Sequence, residues 1–587
     1  LKSPIISLLQ ELLEELSSWC HTSADFDLKT IEARVENEGM SFLTITLPAF
    51  AVDFQKSLDA GQVDHDLFAG FSFKGRLPRF LGGFFDLIFD RTSGRLRDEP
   101  SIPAIFAIRQ ITMACGKIEL ECSPERVKAA YDGYFTCEQD VKSADKRFVL
   151  RKDEFQRIGR MLFAGLYSQV DRMVYSGEIL PKHGPGATAD KKMGNQKFYQ
   201  SEWPQRLDWV FPHGDYLFPN YRHYDGDSVN ILEPGLERPS RLVDVPKTLK
   251  TPRLIAIEPT AMQYVQQGIL EQLTEAIDGD HILSKLIGYS SQIPNQDAAR
   301  LGSITGDLAT LDLSEASDRV SNQHVLALLA NHPHLSEGVQ ACRSRKVDIQ
   351  GKVIRLAKFA SMGSALCFPF EAMVFITIIF LGIEKELNRP LTRHDIRKFA
   401  ESGEVRTYGD DIIVPVRFVS SVVSALEDFG LKVNTRKSYW TGKFRESCGK
   451  DFYDGHDITV TRIRQMIPTQ RKDVQEIIST VSLRNQLYRA GLRETSGFLD
   501  SVIENLIPFP VVEETSPLLG KWNDEGYTPE KFHPTLHTPL VRGVMVKSDI
   551  PQNSVDDHFA LLKSFLKRGE LPFADRRHLE RSGRPSR

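Results

Sequence analysis

The sequence has no Cys-x-x-Cys pair. Its seven cysteines stand singly at 20, 115, 122, 137, 342, 367 and 448. An odd, scattered set argues against a zinc module or a disulfide framework and favours a reducing compartment. The chain also lacks an excess of one charge, with a formal net charge of -4. No global basic surplus announces nucleic acid, so a polyanion would have to meet cations gathered in one place. Nor is there a bilayer-length apolar run. The longest stretch, Ala372 to Ile383 with Thr377 and Gly382 inside it, is about 12 residues against the roughly 20 a span needs. It predicts a buried helix and no membrane association. A secretory signal, an internal repeat and a long low-complexity linker are missing as well. The first residue is Leu rather than Met, as expected of a fragment or of a processed or trimmed chain.

What is present is ordinary in bulk and informative in places. With 587 residues, 41% hydrophobic and 26% charged, the chain is long enough for roughly three or four structural units. Residues 5–19 have helical spacing and an acidic face, residues 66–90 are rich in Phe and Gly with loops that pack aromatics, and 100–175 read as mostly helical. From 180 to 240 Gly, Pro, His, Tyr and Trp accumulate with turn signals at 184–186 and 233–235, so this region is predicted to be irregular. Strand-like and helical pieces alternate from about 241 to 465, and 471–507 return to helical spacing. From Lys563 to Arg587 eight Lys/Arg face three Asp/Glu. Such a tail is read as solvated, with RNA contact the weaker alternative.

The chemistry centres on Tyr408-Gly409-Asp410-Asp411. β-prone Val405-Arg406-Thr407 precedes it and Ile412-Ile413-Val414 follows, predicting a hairpin with two carboxylates at its tip. Such a tip can hold divalent metals, and two metals about 3.5–4 Å apart serve nucleotidyl transfer. On four residues alone an ordinary surface turn accounts for them equally well. Asp312 lies 98 residues upstream, in the apolar run 308–313, where a carboxylate is costly unless it is paired or metal-bound. Residues 314–318 look like a turn capping the next helix. Between the two acidic segments, Ser361-Met362-Gly363-Ser364 precedes an apolar helix at 368–383. Small residues there permit close backbone approach to a ligand, or mark a plain turn. Upstream, Lys247, Lys250 and Arg253 recur every three residues between prolines, before an apolar strand. A solvated face is the usual reading of such a run, but this placement also suits aiming cations at a triphosphate.

The order of these pieces resembles motifs A to D of the palm of RNA-dependent RNA polymerases, with 245–253 similar to motif F of the fingers. The wording of four segments is closer to one family. Residues 245–259, 312–318, 361–363 and 444–450 (Phe-Arg-Glu-Ser-Cys-Gly-Lys) look like the replicase beta subunit of single-stranded RNA bacteriophages, the leviviruses. The likeness covers about 241–465. His183 to Thr188 and Ile108-Arg109-Gln110-Ile111 resemble the family more loosely.

The resemblance implies an α+β right hand with an antiparallel-sheet palm of the RNA-recognition-motif type. Its expected parts are 1–240 (N-terminal region and fingers), 241–300 (fingers–palm junction), 301–465 (palm) and 466–587 (thumb and basic tail). It implies template-directed RNA synthesis from NTPs without a primer. Asp312 and Asp410 would bridge two Mg2+ ions, with Mn2+ a substitute, and Asp411 would support them. Lys247, Lys250 and Arg253 would contact triphosphate, with no ranking among them. Ser361 and Gly363 would line the nucleotide site, and Lys437 resembles the motif D lysine that protonates pyrophosphate, a solvated Lys being the equal alternative. Ser317 and Asp318 compete to read the ribose 2′-hydroxyl, because the second acid follows Asp312 by six residues where many relatives have five. The Asn that often follows the Ser-x-Gly motif has no counterpart, and Glu371 stands near its place. Implied partners are template RNA, NTPs, host elongation factors Tu and Ts and a small-subunit ribosomal protein, in the cytoplasm of a bacterial host. A reverse transcriptase and a narnavirus- or mitovirus-type RNA polymerase are the neighbouring readings, and a non-enzymatic RNA-binding protein the distant one.

Overall fold

Helix Pro4–Trp19 opens the chain, with proline in its first turn and Ile5, Leu8, Leu9, Leu12, Leu13 and Leu16 buried on one stripe. The computed structural model describes residues 3–567 apart from 525, 527, 528 and 548–553. Most of the basic tail therefore lies outside the described residues. The helices expected between 100 and 175 are Ile102–Met113, Pro124–Phe148 and Lys152–Tyr175, and those after 471 are Val474–Arg489 and Arg493–Glu504. Between 66 and 90 the phenylalanines pack as expected. Phe50 meets Phe68, Phe71, Phe80 and Phe85 edge-on at 4.6–5.9 Å. The 180–240 region holds short turns and two three-residue strands, Glu202–Pro204 and Asn230–Leu232.

Two large apolar cores result. One gathers residues from 148 to 433 around helix Cys367–Leu387. The other joins the N-terminal segment 5–118 to residues 439–499, so segments more than 300 residues apart share one core. Helix Cys367–Leu387 is longer than the 12-residue run suggested. Its 21 residues suffice to cross a membrane by length and composition, yet Cys367 and every residue from Pro369 to Ile383 are buried in protein, in line with the buried-helix reading.

Two antiparallel-rich sheets carry the central region. One has the order Arg253–Ile257, Ser240–Val245, Lys346–Ile349, Lys352–Arg355. The other has the order Arg406–Tyr408, Asp411–Pro415, Leu308–Leu311, all antiparallel. Two expectations change in detail. Residues 314–318 form a turn ending in a 3-10 stretch, Ser317–Arg319, and the following helix starts at Asn322 with Ser321 as its cap. Ser321 Oγ, rather than a 314–318 side chain, accepts from Gln323 N at 3.0 Å. The Lys-bearing segment after the hairpin is not a continuous strand. It touches the sheet at isolated bridges, Val433 to Leu313 and Tyr439 to Thr310.

The weakly matched Arg109 proves structural. It is fully buried, pairs with buried Asp451 at 2.9 Å and donates to Ile458 O at 2.7 Å. Gln110 Nε2 and Thr461 O meet at 2.8 Å beside it. This pair rivets helix Ile102–Met113 to the hairpin Phe444–Ser447/Lys450–Tyr453. Removing one partner leaves a buried charge unmatched. Arg109→Met should therefore destabilise the protein by about 3–5 kcal/mol, and adding Asp451→Asn should recover part of the loss. Denaturant unfolding of the single and double variants measures both.

Candidate active site

The acidic tip is set by strand register. Tyr408 pairs with Asp411, leaving Gly409 and Asp410 as a two-residue turn. Gly409 has φ +59° and Asp410 is not left-handed, the pattern of a type II′ hairpin. A Cβ on Gly409 would lie 2.6 Å from Phe368 Cε2 and 3.3 Å from Glu371 Oε1, so both conformation and crowding require glycine here. On its other edge, Asp411–Pro415 pairs Ile412 with Leu311 and Ile413 with Thr310. One step further, that register sets Asp411 opposite Asp312. The three aspartates thus come to one end of one sheet, with Asp410 exposed and the other two half-buried.

Their electrostatics follow from that crowding. Burial pushes Asp411 up to about 6, against the Cys448 backbone N–H, and Asp410 and Asp312 push in the same direction. Ser447 Oγ donates to Asp411 Oδ1 at 3.4 Å. Asp312 is also raised by burial. Lys437 opposes this, Asp410 adds to it, and a 2.8 Å bond from Asn434 Nδ2 to Oδ2 opposes it again, as does Lys247. Main-chain bonds fix the Asp312 backbone, from its own N to Ser438 Oγ at 3.1 Å and from Asn434 N to its carbonyl at 2.8 Å. Glu371 is buried, and burial followed by Asp410 and Asp318 pushes it up to about 8. At neutral pH it holds its proton, and a neutral carboxylic acid can donate a hydrogen bond as an amide does.

The basic stretch is sorted by the same contacts. Lys247 sits on the surface, but protein around its ammonium lowers its pKa. Arg253 and Lys437 lower it further, and Asp410 and Asp312 pull the other way. Lys247 is thus the member that reaches the acids, Arg253 reaches Lys247, and Lys250 joins neither set. The loop is held from outside by Arg126 Nη1 on Leu249 O at 2.7 Å and by Cys122 Sγ on Thr248 O at 3.0 Å. Lys437 is exposed and acts on Asp312.

The remaining expected residues divide. Asp318 Oδ1 accepts from Ser361 Oγ at 2.9 Å and pairs with Lys358 Nζ at 3.2 Å. The hydroxyl of Ser317 is engaged with Cys367 instead. Gly363 has φ +126°, and a Cβ there would lie 2.1 Å from Ala256 O. Its loop is pressed on strand Arg253–Ile257, where Ala256 N donates to Met362 O at 2.8 Å. Packing therefore accounts for this glycine without a ligand.

Sequence reasoning missed several residues. Asn434 lay in a segment singled out for its lysine. Lys358 could have been flagged as a cation in the apolar run 356–360. Lys117 carried no signal. Backbone bonds from Ile463 N to Ala114 O at 2.8 Å and from Glu119 N to Arg464 O at 2.9 Å bring it beside 462–464. Burial, then Arg462, Lys247, Lys437 and Arg464, pull Lys117 down to about 8. Five cations from four distant segments thus gather together, and two of them, Lys247 and Lys437, act on Asp312.

The donors at the tip are hard carboxylate oxygens, the chemistry that magnesium takes. Among the described residues no group of three or more His, Cys, Asp or Glu is placed to hold a metal ion by itself. Magnesium sites commonly use one or two carboxylates completed by water and substrate phosphates, so the donor set fits an open site of that kind.

Comparison with known proteins was made on sequence and on fold. Residues 226–500 match the family described as RNA replicase, beta-chain. The chain is 30% identical over 307 residues to the RNA-directed RNA polymerase beta chain of Enterobacteria phage fr, covering 52% of this chain and 49% of that one. It is 36% identical over 229 residues to the RNA-directed RNA polymerase subunit beta of Escherichia virus Qbeta, covering 39% and 36%. The alignment spans half the length or less of these relatives. Among solved structures, the RNA-dependent RNA polymerase of a human picorbirnavirus aligns at TM-score 0.34 and 13% identity over 45% of this chain and 55% of that one. That of BmCPV at elongation state aligns at 0.36 and 12% over 59% and 33%.

Burial of Asp411, with Asp410 and Asp312 beside it, predicts a stability effect in the cation-free protein. A carboxylate held above its ordinary pKa costs stability at pH above the folded value and regains it as pH falls through about 6. Asp411→Asn should raise the melting temperature at pH 8, corresponding to roughly 1–3 kcal/mol after allowance for water at the site, and should do so less at pH 5. Thermal melts at the two pH values in chelator check this.

Proposed function

We propose that this chain, similar over residues 226–500 to the replicase beta chains of RNA phages, is an RNA-directed RNA polymerase that copies a single-stranded RNA phage genome from NTPs. The observation that carries the reading is the register setting Asp312 opposite Asp411 with Asp410 in the turn between strands, beside the cations Lys247 and Lys437. Carboxylates and cations at one point suit a substrate that is itself a polyanion handled with cations.

In this reading the whole is a right hand, with the palm at about 301–465, fingers drawn mainly from the N-terminal half and the thumb from the C-terminal helices. The strand order, with Tyr439 bridging Thr310 on the free edge of Leu308–Leu311, supports a palm of the RNA-recognition-motif type. Asp312, Asp410 and Asp411 would hold two Mg2+ ions, which supply activation of the RNA 3′-hydroxyl and neutralisation of the triphosphate. The chain's own residues do the rest. Asn434 and Ser438 fix Asp312. Lys247, with Arg253 and Lys117 behind it, receives the phosphates. Lys437 would give a proton to the departing pyrophosphate. Asp318, with Ser361 and the protonated Glu371, takes the ribose. Primer-independent initiation, association with host elongation factors Tu and Ts and a small-subunit ribosomal protein, and action in the cytoplasm of a bacterial host follow from the family likeness.

Asp410→Asn tests the reading. Asp410 is exposed, so the fold should survive and RNA should still bind. RNA synthesis by the purified variant should fall below detection, at least about 1,000-fold. Polymerisation at wild-type rate would remove the metal role from the hairpin.

A further inference from the structure

We propose that Lys358 and Tyr134 are positioning residues that aim the carboxylate of Asp318 at the 2′-hydroxyl of a bound nucleotide. The inference rests on the reading of the site as an RNA-polymerising centre.

Lys358 lies between strand Lys352–Arg355 and the Ser361–Ser364 turn, and no part of its side chain reaches solvent. Its ammonium stands 3.2 Å from Asp318 Oδ1 and 3.6 Å from the ring centroid of Tyr134. A buried ammonium without a counter-charge is costly, so the pair fixes Asp318 Oδ1 in one place. The aromatic ring against the ammonium adds a second attraction.

Proton accounting extends the chain. Ser361 has one hydroxyl proton and gives it to Asp318 Oδ1 at 2.9 Å. Its oxygen also meets Tyr134 Oη at 2.8 Å. With the serine proton committed, Tyr134 is the donor in that bond. Tyr134 therefore acts on Asp318 twice, through Ser361 by its hydroxyl and through Lys358 by its ring. The same face of helix Pro124–Phe148 supplies the backing. Cys137 Sγ reaches Asp318 O at 3.6 Å, and Glu138 accepts from the backbone N–H groups of Ala357 and Lys358.

The consequence is at the other oxygen. Oδ1 receives both donors, and among the described residues Oδ2 receives none. The Asp318 side chain keeps 23% exposure. An ionised carboxylate only accepts hydrogen bonds. A ribose 2′-hydroxyl can donate to Oδ2, and a 2′-deoxyribose cannot. A site built to bond a hydroxyl rejects the analogue lacking it, provided its acceptor is held in place. Lys358 and Tyr134 hold it.

The test uses the full chain purified from its host with whatever co-purifies. It measures kcat/KM for single additions of NTP and of the matching 2′-deoxy-NTP. Lys358→Met keeps length and removes charge. Tyr134→Phe keeps the ring and removes the hydroxyl. The ratio of NTP to deoxy-NTP efficiency should fall about 10-fold or more in Lys358→Met and about 2–5-fold in Tyr134→Phe. Adding Lys358→Met to Asp318→Ala should lower the ratio no further, because both act through one carboxylate. A merely structural role slows both nucleotides together, and an unchanged ratio in Lys358→Met overturns the proposal. If that variant does not fold, an unchanged ratio in Tyr134→Phe overturns it. An unmutated chain that adds neither nucleotide overturns the polymerase reading, and this inference with it, before any variant is made.

Discussion

Everything at the site depends on the pairing of Leu308–Leu311 with Asp411–Pro415. Side chains alternate along a strand, so a one-residue slip would send Asp312 to the opposite face from its partners. The register is protected by what lies beneath it. Ala309, Leu311, Ile412, Ile413 and Val414 are buried, and a slip would force both buried faces of the sheet to repack. The core therefore specifies the alignment that makes three carboxylates crowd together. Burial is the main reason that Asp312 and Asp411 are both raised, and their neighbouring carboxylates add to it. Stored repulsion between carboxylates is relieved by cations, which is why the same geometry that costs stability prepares a binding site.

The surrounding chain is organised to hold that sheet end from several directions. Arg445, fully buried, donates to Leu308 O at 2.6 Å and to Gly442 and Phe444 carbonyls at 2.7 Å. It ties the 444–447 strand to the first acidic strand. Ser447 then reaches Asp411. Arg109 and Asp451 lock the N-terminal core against the same hairpin. Lys117 and Arg462 arrive through that junction. The core shared by the N-terminal segment and residues 439–499 thus also brings Lys117 and Arg462 beside Lys247 and Lys437.

The hairpin, the buried helix, the N-terminal and C-terminal helices and the irregular 180–240 region were legible because each rests on local pattern. Gly409 between β-prone flanks and the leucine spacing of 5–16 are such signals. The partnership of Asp312 with Asp410 and Asp411 was legible by the costliness of an acid in an apolar run, aided by family likeness. The rest needed tertiary information. Lys247 acts on Asp312 across the fold, which its place in the basic run does not reveal. Gly363 answers to the Ala256 carbonyl, which no local pattern reveals. Asp318 rather than Ser317 joins the Ser361 loop because a buried lysine 40 residues later pins it. Helix capping at Ser321 instead of 314–318 follows from the extra turn that sets Asp318 in place.

The proposed chemistry requires Asp312 and the 410–411 tip to form one cation site. Replacing magnesium by ferrous iron and generating hydroxyl radicals locally tests it on the intact chain, since cleavage marks the backbone nearest the bound ion. The account predicts cuts around 308–313 and around 408–412 in the same reaction, both suppressed by excess magnesium. Cuts at one of these segments without the other, or at neither, would contradict it.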